Sequence, residues 1–314
     1  MVDLQTRPLG DSGLEVSVIG LGCNNFGRRV DLDGTRAVVD AALAEGVTFF
    51  DTADIYGGRG ASEELLGQVL QGRRDQVVLA TKFGMDMGDG RGPRGSRDYI
   101  LQAVEASLRR LRTDVIDVYW YHQPDGETPI AETLETLDEL VRAGTVRTIG
   151  ASNFSAEQIE EADQIARERG LARFVAVQNE YSLLVRDAEQ EVLPACERLG
   201  IGFVPYFPLA SGLLTGKYRR GQAPPPGTRL AGRERVASDE QFDLLDAIER
   251  YAQERRVSVL EVAIGALLAR PAVSSVIAGA TKPDQVSANA RAAGWTPNED
   301  DLAALDSLLT SSPR

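Results

Sequence analysis

Residues 115–149 read VIDVYWYHQPDGETPIAETLETLDELVRAGTVRTI, and this stretch decides the fold class. It begins with the apolar run Val115–Tyr121 and ends with a second apolar run, Val146–Ile149. The segment between them has helical period, opens at Thr128-Pro129 and stops before Gly144, as helices often do. Continuous apolar runs fit strands that are buried on both faces. The stretch therefore predicts a strand–helix–strand unit of a parallel sheet.

The same alternation extends in both directions along the chain. Helices again have recognisable starts, such as Ser96 and the capping box of Ser155 with Gln158. Eight strands, each followed by at least one helix, predict a (β/α)₈ TIM barrel of the α/β class, formed as a single domain by residues 1–314. The predicted strands are Val16–Leu21, Val47–Phe50, Val77–Thr81, Val115–Tyr121, Val146–Ile149, Phe174–Val177, Ile201–Pro205 and Val273–Ile277.

Other segments are predicted to be accessories to the barrel. Arg7–Val16, with its turn at Asp11-Ser12-Gly13, predicts an N-terminal β-hairpin that closes the bottom. Glu299–Leu309 predicts an extra C-terminal helix. Pro194 indicates that the helix in 187–198 is kinked or begins late. The long segment Arg219–Val236 is rich in Pro, Gly and Arg and indicates a functional lid or a disordered loop.

Composition excludes several classes of function. The 34 basic and 47 acidic residues give a net charge of −13, which argues against nucleic acid or an anionic membrane as a partner. No apolar run is long enough to span a membrane, and the first residues lack the apolar core of a signal peptide. Cys23 and Cys196 offer neither zinc-site spacing nor a disulfide framework. We therefore expect a cytoplasmic protein without a metal site.

Polar side chains follow the predicted strands at the ends where barrels of this class carry their chemistry. A single polar residue at such a position means little, because strands must end. An aspartate, a lysine and a histidine after three successive strands instead predict a site. The polar strand-end residues are Asp51, Lys82, His122, Ser152, Asn153, Gln178, Asn179 and Tyr206.

These side chains suit the reduction of a carbonyl by hydride, which generates an alkoxide that needs a proton. Tyr56 lies on the loop after Asp51, but a phenol with a pKa of about 10 is a poor acid–base catalyst at neutral pH. A nearby Lys82 ammonium would lower that pKa, and the Asp51 carboxylate would hold the ammonium in place. His122 would orient the substrate oxygen.

Several motifs in their order along the chain resemble the aldo-keto reductase superfamily, in particular its bacterial branches. They are DTADIYG (51–57), ATK (80–82), DVYWYH (117–122), GASNF (150–154), VQN (177–179), YFPL (206–209) with GLLTGK (212–217), and AGATKP (278–283) with Gln285 and Asn289. The resemblance implies an oxidoreductase that transfers hydride between a nicotinamide and an aldehyde or ketone, or an alcohol or sugar in reverse. It also implies that Asp51, Tyr56, Lys82 and His122 form the catalytic tetrad, with Tyr56 as the general acid.

By the same resemblance, NADPH is the expected cofactor, with NADH as a possibility, bound across the barrel mouth without a Rossmann fold. The absence of a G-x-G-x-x-G motif after any strand agrees with this. The implied cofactor residues are Gly22, Cys23, Asn24, Asp51, Ser152, Asn153, Gln178, Tyr206, Phe207, Pro208, Leu209, Ser211, Gly212, Lys217, Gly279, Ala280, Thr281, Lys282, Gln285 and Asn289. The implied substrate residues are Asn24, Asn25, Phe26, Tyr56, His122 and Gln123.

The chain departs from the family pattern in three places. After His122, where many relatives have a tryptophan that walls the substrate pocket, Gln123-Pro124-Asp125 follows. Gln285 stands where many members have an arginine that grips the 2′-phosphate of NADPH, and Lys282 could compensate. The chain also ends at Ser311–Arg314, directly after the predicted last helix, so we expect no long tail to define the substrate. We expect the choice of a small carbonyl or sugar to depend on residues 24–26, Gln123 and the loop near Arg219–Val236.

Other functions remain open at this stage. The chain could be a non-catalytic nicotinamide-binding regulatory subunit, as some barrels of this family are. It could also be a Schiff-base aldolase that uses Lys82, although such a lysine prefers an apolar pocket without a carboxylate. Asp54 is interpreted as a loop cap rather than a catalytic group. The sequence predicts neither the physiological substrate nor the oligomeric state.

Overall fold

The computed structural model describes residues 4–233 and 236–310. Within these residues, strands β3 to β10 form one parallel sheet in the order β10-β3-β4-β5-β6-β7-β8-β9. The ten described strands are β1 (Thr6–Pro8), β2 (Glu15–Ser17), β3 (Ile19–Gly22), β4 (Phe49–Asp51), β5 (Val78–Phe83), β6 (Ile116–Tyr121), β7 (Val146–Ser152), β8 (Phe174–Gln178), β9 (Gly202–Phe203) and β10 (Val276–Gly279).

The sheet closes on itself between β9 and the segment that leads into β10. The Phe203 amide donates to the Ala272 carbonyl at 2.7 Å, the Ser274 amide donates to the Phe203 carbonyl at 3.0 Å, and the Ile277 amide donates to the Pro205 carbonyl at 3.2 Å. Because all eight strands of the sheet run parallel, their carboxyl ends meet at one rim. The predicted (β/α)₈ barrel is therefore confirmed.

Helices follow the barrel strands as predicted, and the last one is the extra C-terminal helix. Their bounds within the described residues are α1 (Leu32–Ala44), α2 (Tyr56–Arg59), α3 (Ala61–Val69), α4 (Arg97–Leu111), α5 (Ile130–Arg142), α6 (Ala156–Arg169), α7 (Val192–Leu199), α8 (Asp239–Glu254), α9 (Val259–Leu268), α10 (Pro283–Ala292) and α11 (Glu299–Thr310). Short 3₁₀ segments lie at Arg74–Gln76, Asp187–Glu189 and Ala210–Thr215.

The N-terminal hairpin fills the bottom of the barrel. β1 and β2 pair antiparallel, and Leu9 and Val16, both fully buried, join a core cluster inside the barrel with Phe49 and Trp120. The predicted run Val16–Leu21 is wrong as one strand, because its first residues belong to β2 and only Ile19–Gly22 enters the barrel. Both halves are apolar and buried, so the sequence pattern alone does not separate them.

Most of the sequence signals for helix ends agree with the structure. Ser155 and Gln158 form the predicted capping box of α6. Ser96 occupies the N-cap position of α4, but its hydroxyl donates to the Pro93 carbonyl instead of capping the helix. Pro194 lies in the first turn of α7, which begins at Val192, so the predicted late start is confirmed.

The described part of the loop after β9 has few regular elements and packs across the barrel mouth. Arg29 donates to the Gly227 carbonyl at 2.9 Å, and the Leu230 side chain is buried. Residues 234 and 235 of the predicted loop, and the end of the chain at 311–314, lie outside the described residues. In the described ranges, no helix is both long enough and apolar enough to cross a membrane.

Candidate active site

Strand register brings the predicted polar residues to the carboxyl rim of the barrel. Asp51, at the end of β4, stands beside Gly22 at the end of β3, and Ser152 of β7 stands beside Gln178 of β8. Lys82 is the penultimate residue of β5, and His122 directly follows β6. Residues that are far apart in sequence thus face one another across the mouth because their strands end at the same level.

A buried ion pair lies at the base of this group. The Lys82 side chain is fully buried, and its ammonium donates to the Asp51 carboxylate at 2.5 Å and to the Thr52 carbonyl at 2.8 Å. The second Asp51 oxygen accepts a hydrogen bond from the Gln178 amide at 3.0 Å. Both charges are therefore compensated by protein groups, which a buried pair requires.

Tyr56 lies over the ion pair. It opens the short turn α2, and the Lys82 ammonium is 5.0 Å from the centroid of its ring and interacts with its hydroxyl. Burial raises the pKa of Tyr56 and outweighs the Lys82 charge, which lowers it, so the pKa ends above its ordinary value of 10. We expected the lysine to lower the pKa of this phenol, and it does so only in part. The hydroxyl consequently holds its proton at neutral pH.

The charge state of Lys82 follows from the same contacts. Burial lowers the pKa of Lys82, but attraction to Asp51 and the interaction with Tyr56 raise it, and the result lies above the ordinary value. Lys82 is therefore an ammonium throughout the physiological range. An ammonium fixed beside a phenol stabilises the phenolate that forms when the phenol gives up its proton.

His122 forms the wall next to Tyr56. The two rings meet edge to face, with centroids 5.8 Å apart and an interplanar angle of 84°. Burial, with a smaller contribution from the Lys82 charge, holds the pKa of His122 well below its usual value, so the imidazole is neutral. Among the described residues, no protein group hydrogen bonds to its buried Nδ1.

A hydrogen-bonded group of polar residues stands beside His122 at the mouth. Asn153 has a left-handed backbone, with φ of 60°. Its amide side chain donates to the His122 carbonyl at 2.9 Å and accepts from the Tyr206 hydroxyl at 2.7 Å. The backbone amide of Asn153 in turn donates to the Asn179 side chain at 2.8 Å. These bonds fix Tyr206 relative to the rim.

A cavity of about 950 Å³ opens above these groups. Its volume is near the upper end of the roughly 300–1,000 Å³ that small-molecule and cofactor sites occupy. Many of the residues singled out from the sequence line it. They are Gly22, Asn24, Asp51, Tyr56, His122, Gln123, Asn153, Gln178, Tyr206, Phe207, Pro208, Leu209, Ser211, Gly212, Lys217, Gly279, Thr281, Lys282, Gln285 and Asn289.

The other predicted site residues lie behind the cavity wall. Cys23 and Phe26 are fully buried in the core between sheet and helices. Asn25 donates to the carbonyl of Ala280 at 3.3 Å and so ties the loop after β3 to the segment after β10. Lys82 does not line the cavity but lies beneath the Tyr56 ring. Ser152 accepts a hydrogen bond from Asn153 at 3.2 Å.

Sequence reasoning missed several residues of the cavity wall. Apolar contacts come from Ile55, Met85 and Leu260, and none of these positions carries a polar signal that could have been noticed. Arg29 could have been found, because it belongs to an Arg28-Arg29 pair in the loop after β3 of an acidic chain. Thr228 and Arg229 come from the loop that was predicted only as a whole.

Asp54 lies near the site but outside the cavity. Burial, followed by the neighbouring Glu63, raises the pKa of Asp54 to about 7. The Ile55 backbone favours the ionised form of the Asp54 carboxyl group and lowers its pKa slightly. The Oδ1 atom of Asp54 is buried and has no hydrogen-bond partner among the described residues. This carboxyl group is therefore costly to ionise.

Comparisons with known proteins agree with the geometry. The model of the aldo/keto reductase family matches residues 18–310. The chain is 36% identical to the aldo-keto reductase YhdN of Bacillus subtilis, over 98% of this chain and 95% of that protein. It is 32% identical to the L-glyceraldehyde 3-phosphate reductase of Escherichia coli, over 96% of this chain and 92% of the relative.

The chain is also similar to a protein that is named as a channel subunit and not as a reductase. A probable voltage-gated potassium channel subunit beta of rice is 35% identical over 99% of this chain and 98% of its own length. This relative and the bacterial reductases align with nearly the whole chain, so the family assignment does not depend on an isolated motif. The chain belongs to the aldo/keto reductase family of oxidoreductases.

Proposed function

We propose that this protein transfers hydride between NADPH and a small aldehyde or ketone, or runs the reaction in reverse on an alcohol or sugar, with Tyr56 as the general acid. The observation that carries the proposal is the Lys82–Asp51 ion pair, buried beneath Tyr56 at the base of the cavity. Burying an ion pair costs free energy, so its presence in this position favours a functional role. Perturbed, buried charges in a cleft are typical of catalytic sites.

Tyr56 supplies the proton. Its phenol is protonated at neutral pH, because its pKa is raised, and it faces the cavity beside neutral His122. As the carbonyl oxygen gains negative charge, it becomes more basic than a phenolate and takes the Tyr56 proton. The Lys82 ammonium stabilises the phenolate that is left, and Asp51 keeps the ammonium in position.

His122 orients the substrate oxygen. A neutral imidazole can donate one hydrogen bond, whereas a charged one would repel the neighbouring Lys82 ammonium. The low pKa of His122 keeps it in the neutral form. Its edge-to-face contact with Tyr56 places the two groups on the same side of the cavity. A carbonyl oxygen held between them would receive two hydrogen bonds, one of which becomes the proton transfer.

The remaining cavity residues fit a nicotinamide dinucleotide. The cavity extends from the tetrad to Asn289 on α10. Asn153 and Gln178 present amides near Tyr56 for the carboxamide, Tyr206 presents a ring for the nicotinamide, and Lys217 offers a charge for the diphosphate. When bound, NADPH supplies the hydride. NADPH is favoured over NADH because Lys282 lines the far end of the cavity, where a phosphate needs a cation.

The test is Tyr56→Phe in the purified protein. With NADPH and a panel of small aldehydes, the variant should lose about 10²–10⁴-fold in kcat, the usual contribution of general acid catalysis. Cofactor affinity, followed by tryptophan fluorescence, should stay within twofold, because only a hydroxyl is removed. Tyr99→Phe, outside the cavity lining, is the matched control and should keep full activity. Equal turnover by Tyr56→Phe and the wild type would refute the proposal.

One specific observation favours a second function, and another argues against a third. The potassium channel subunit relative keeps open a non-catalytic nicotinamide-binding regulatory subunit, which tight NADPH binding without oxidation by any aldehyde would favour. An aldolase reaction through Lys82 requires a neutral amine, whereas Asp51 and Tyr56 hold the pKa of Lys82 above its usual value. Borohydride should therefore trap no substrate adduct on Lys82.

A further inference from the structure

A second, smaller hollow adjoins the main cavity. This arginine groove, about 460 Å³ in volume, is lined by residues 27–31, Gly34 and Thr281. Arg29 and Thr281 belong to the walls of both hollows, so the groove adjoins the cavity at the end where Lys282 and Gln285 lie. Arg28 and Arg29 supply its charge.

These two arginines have no acidic partner in the described part of the chain. Arg29 donates to the Gly227 carbonyl at 2.9 Å, and no carboxylate there forms an ion pair with Arg28 or Arg29. The Asp31 carboxylate also lines the groove, but its Oδ1 accepts from the Gly34 amide at the start of α1. Arginines elsewhere on this surface usually have an acid, as Arg73 has Asp40 at 2.5 Å.

A third guanidinium approaches from the opposite loop. Arg229 stacks on Phe207, with its guanidinium carbon 4.8 Å from the ring centroid, and it lines the main cavity. Burial lowers the pKa of Arg229, and the nearby Arg29 and Arg28 lower it further. Three cations that form no ion pair with a carboxylate of the described residues indicate a place for an anion. Guanidinium groups match the geometry of phosphate oxygens particularly well.

The neighbouring Gln285 cannot hold a phosphate in their place. Its side-chain oxygen accepts from the Thr281 amide at 2.7 Å and from the Thr281 hydroxyl at 3.2 Å. Gln285 carries no charge, and this contact directs its oxygen into the turn before α10. Thr281 thus lies between the end of the cavity that Gln285 and Lys282 line and the two arginines in the groove.

We propose that Arg28 and Arg29, next to Lys282, bind the 2′-phosphate of NADPH and thereby strengthen the preference of this chain for NADPH over NADH. The inference rests on the proposed function, since it assumes that a nicotinamide dinucleotide occupies the cavity. The cofactor has a second anionic group, the diphosphate, which NADH shares. If the arginines bound the diphosphate, they would contribute equally to the binding of NADPH and NADH. A comparison of the two affinities therefore distinguishes the 2′-phosphate from the diphosphate.

The experiment measures the Kd of NADPH and of NADH for the full chain by titration calorimetry. Arg28→Gln and Arg29→Gln should each weaken NADPH binding about tenfold or more, the usual cost of a lost charge-assisted hydrogen bond. NADH affinity should change less than threefold. Arg36→Gln is the control, because Arg36 is 53% exposed on α1 and has only a 3.9 Å contact with Asp33. It should leave both Kd values unchanged.

Two results would overturn the proposal. A parallel loss of NADPH and NADH affinity would assign the arginines to the diphosphate, and unchanged affinity for both would leave them without a role in binding. Arg28 and Arg29 are exposed, so their substitution should not unfold the protein, which circular dichroism checks. If the wild type binds NADPH but reduces no carbonyl, the proposed function alone fails. The ratio of the Kd values for NADPH and NADH still decides in that case whether the arginines bind the 2′-phosphate.

Discussion

Replacing Asp51 with asparagine tests how strongly the fold depends on the charge beneath Tyr56. Asp51→Asn keeps the shape of the side chain but removes the partner of a fully buried ammonium. Breaking a buried pair in this way costs about 3–5 kcal/mol, a large share of the roughly 5–15 kcal/mol by which a folded domain is stable. The Thr52 carbonyl, which still accepts from Lys82, keeps the cost toward the lower value.

The assay is urea unfolding followed by circular dichroism at pH 7, with Asp40→Asn as the matched control. Asp40 pairs with Arg73 at the same distance of 2.5 Å, but its side chain is 53% exposed, so its removal should cost less than about 1 kcal/mol. The pKa of Lys82 is raised in the folded state, so the stabilisation is fully present below the unfolded pKa of about 10.4. It should disappear only as the pH rises through the higher folded value.

The reasoning about the ion pair would be refuted if Asp51→Asn and Asp40→Asn lowered the free energy of unfolding by the same small amount. Equal values would mean that the buried ammonium finds another partner or water. Near pH 7, the two variants should instead differ by at least about 2 kcal/mol.

Two further predictions concern pH. The pKa of His122 is depressed in the folded state, so the unfolded chain takes up the proton first, and the contribution of His122 to wild-type stability should fall by about 1 kcal/mol as the pH drops from 6.5 to 5.5. His122→Asn should lack this decrease in urea titrations, and an identical decrease in both proteins would contradict the assignment. The pKa of Asp54 is raised to about 7, so its contribution is present below the unfolded pKa of 3.8 and is lost as the pH rises through 7. Asp54→Asn should be more stable than the wild type by as much as about 4 kcal/mol at pH 8, with no gain at pH 4. Asp33→Asn, whose side chain is 93% exposed, should show no gain at either pH.

Much of the site could be predicted from the sequence because the barrel topology does the assembly. Once eight strands alternate with helices, a polar residue at each strand end must reach the same rim. Asp51, Lys82 and His122 were therefore predictable without knowledge of any contact. The same logic locates Tyr206 and Gln178, which follow or end later strands.

What the sequence could not provide depends on packing between distant segments. The direction of the Tyr56 pKa shift reflects the balance between burial and one nearby charge, and a motif shows only the charge. The Arg29 contact with Gly227 joins loops 198 positions apart. The break between β2 and β3 was hidden because Val16 and Val18 are both buried, one inside the barrel and one outside it.

The central claim is that Lys82 and Asp51 act on the reaction through the Tyr56 hydroxyl, and a double-mutant cycle of hydride-transfer rates tests it most directly. Single-turnover oxidation of NADPH would be measured for the wild type, Lys82→Met, Tyr56→Phe and the double variant. Lys82→Met should slow the wild type about 10²-fold or more, yet slow the Tyr56→Phe protein less than threefold, because the hydroxyl it serves is already gone. If the two losses multiply, the lysine acts independently of the phenol and the account is contradicted.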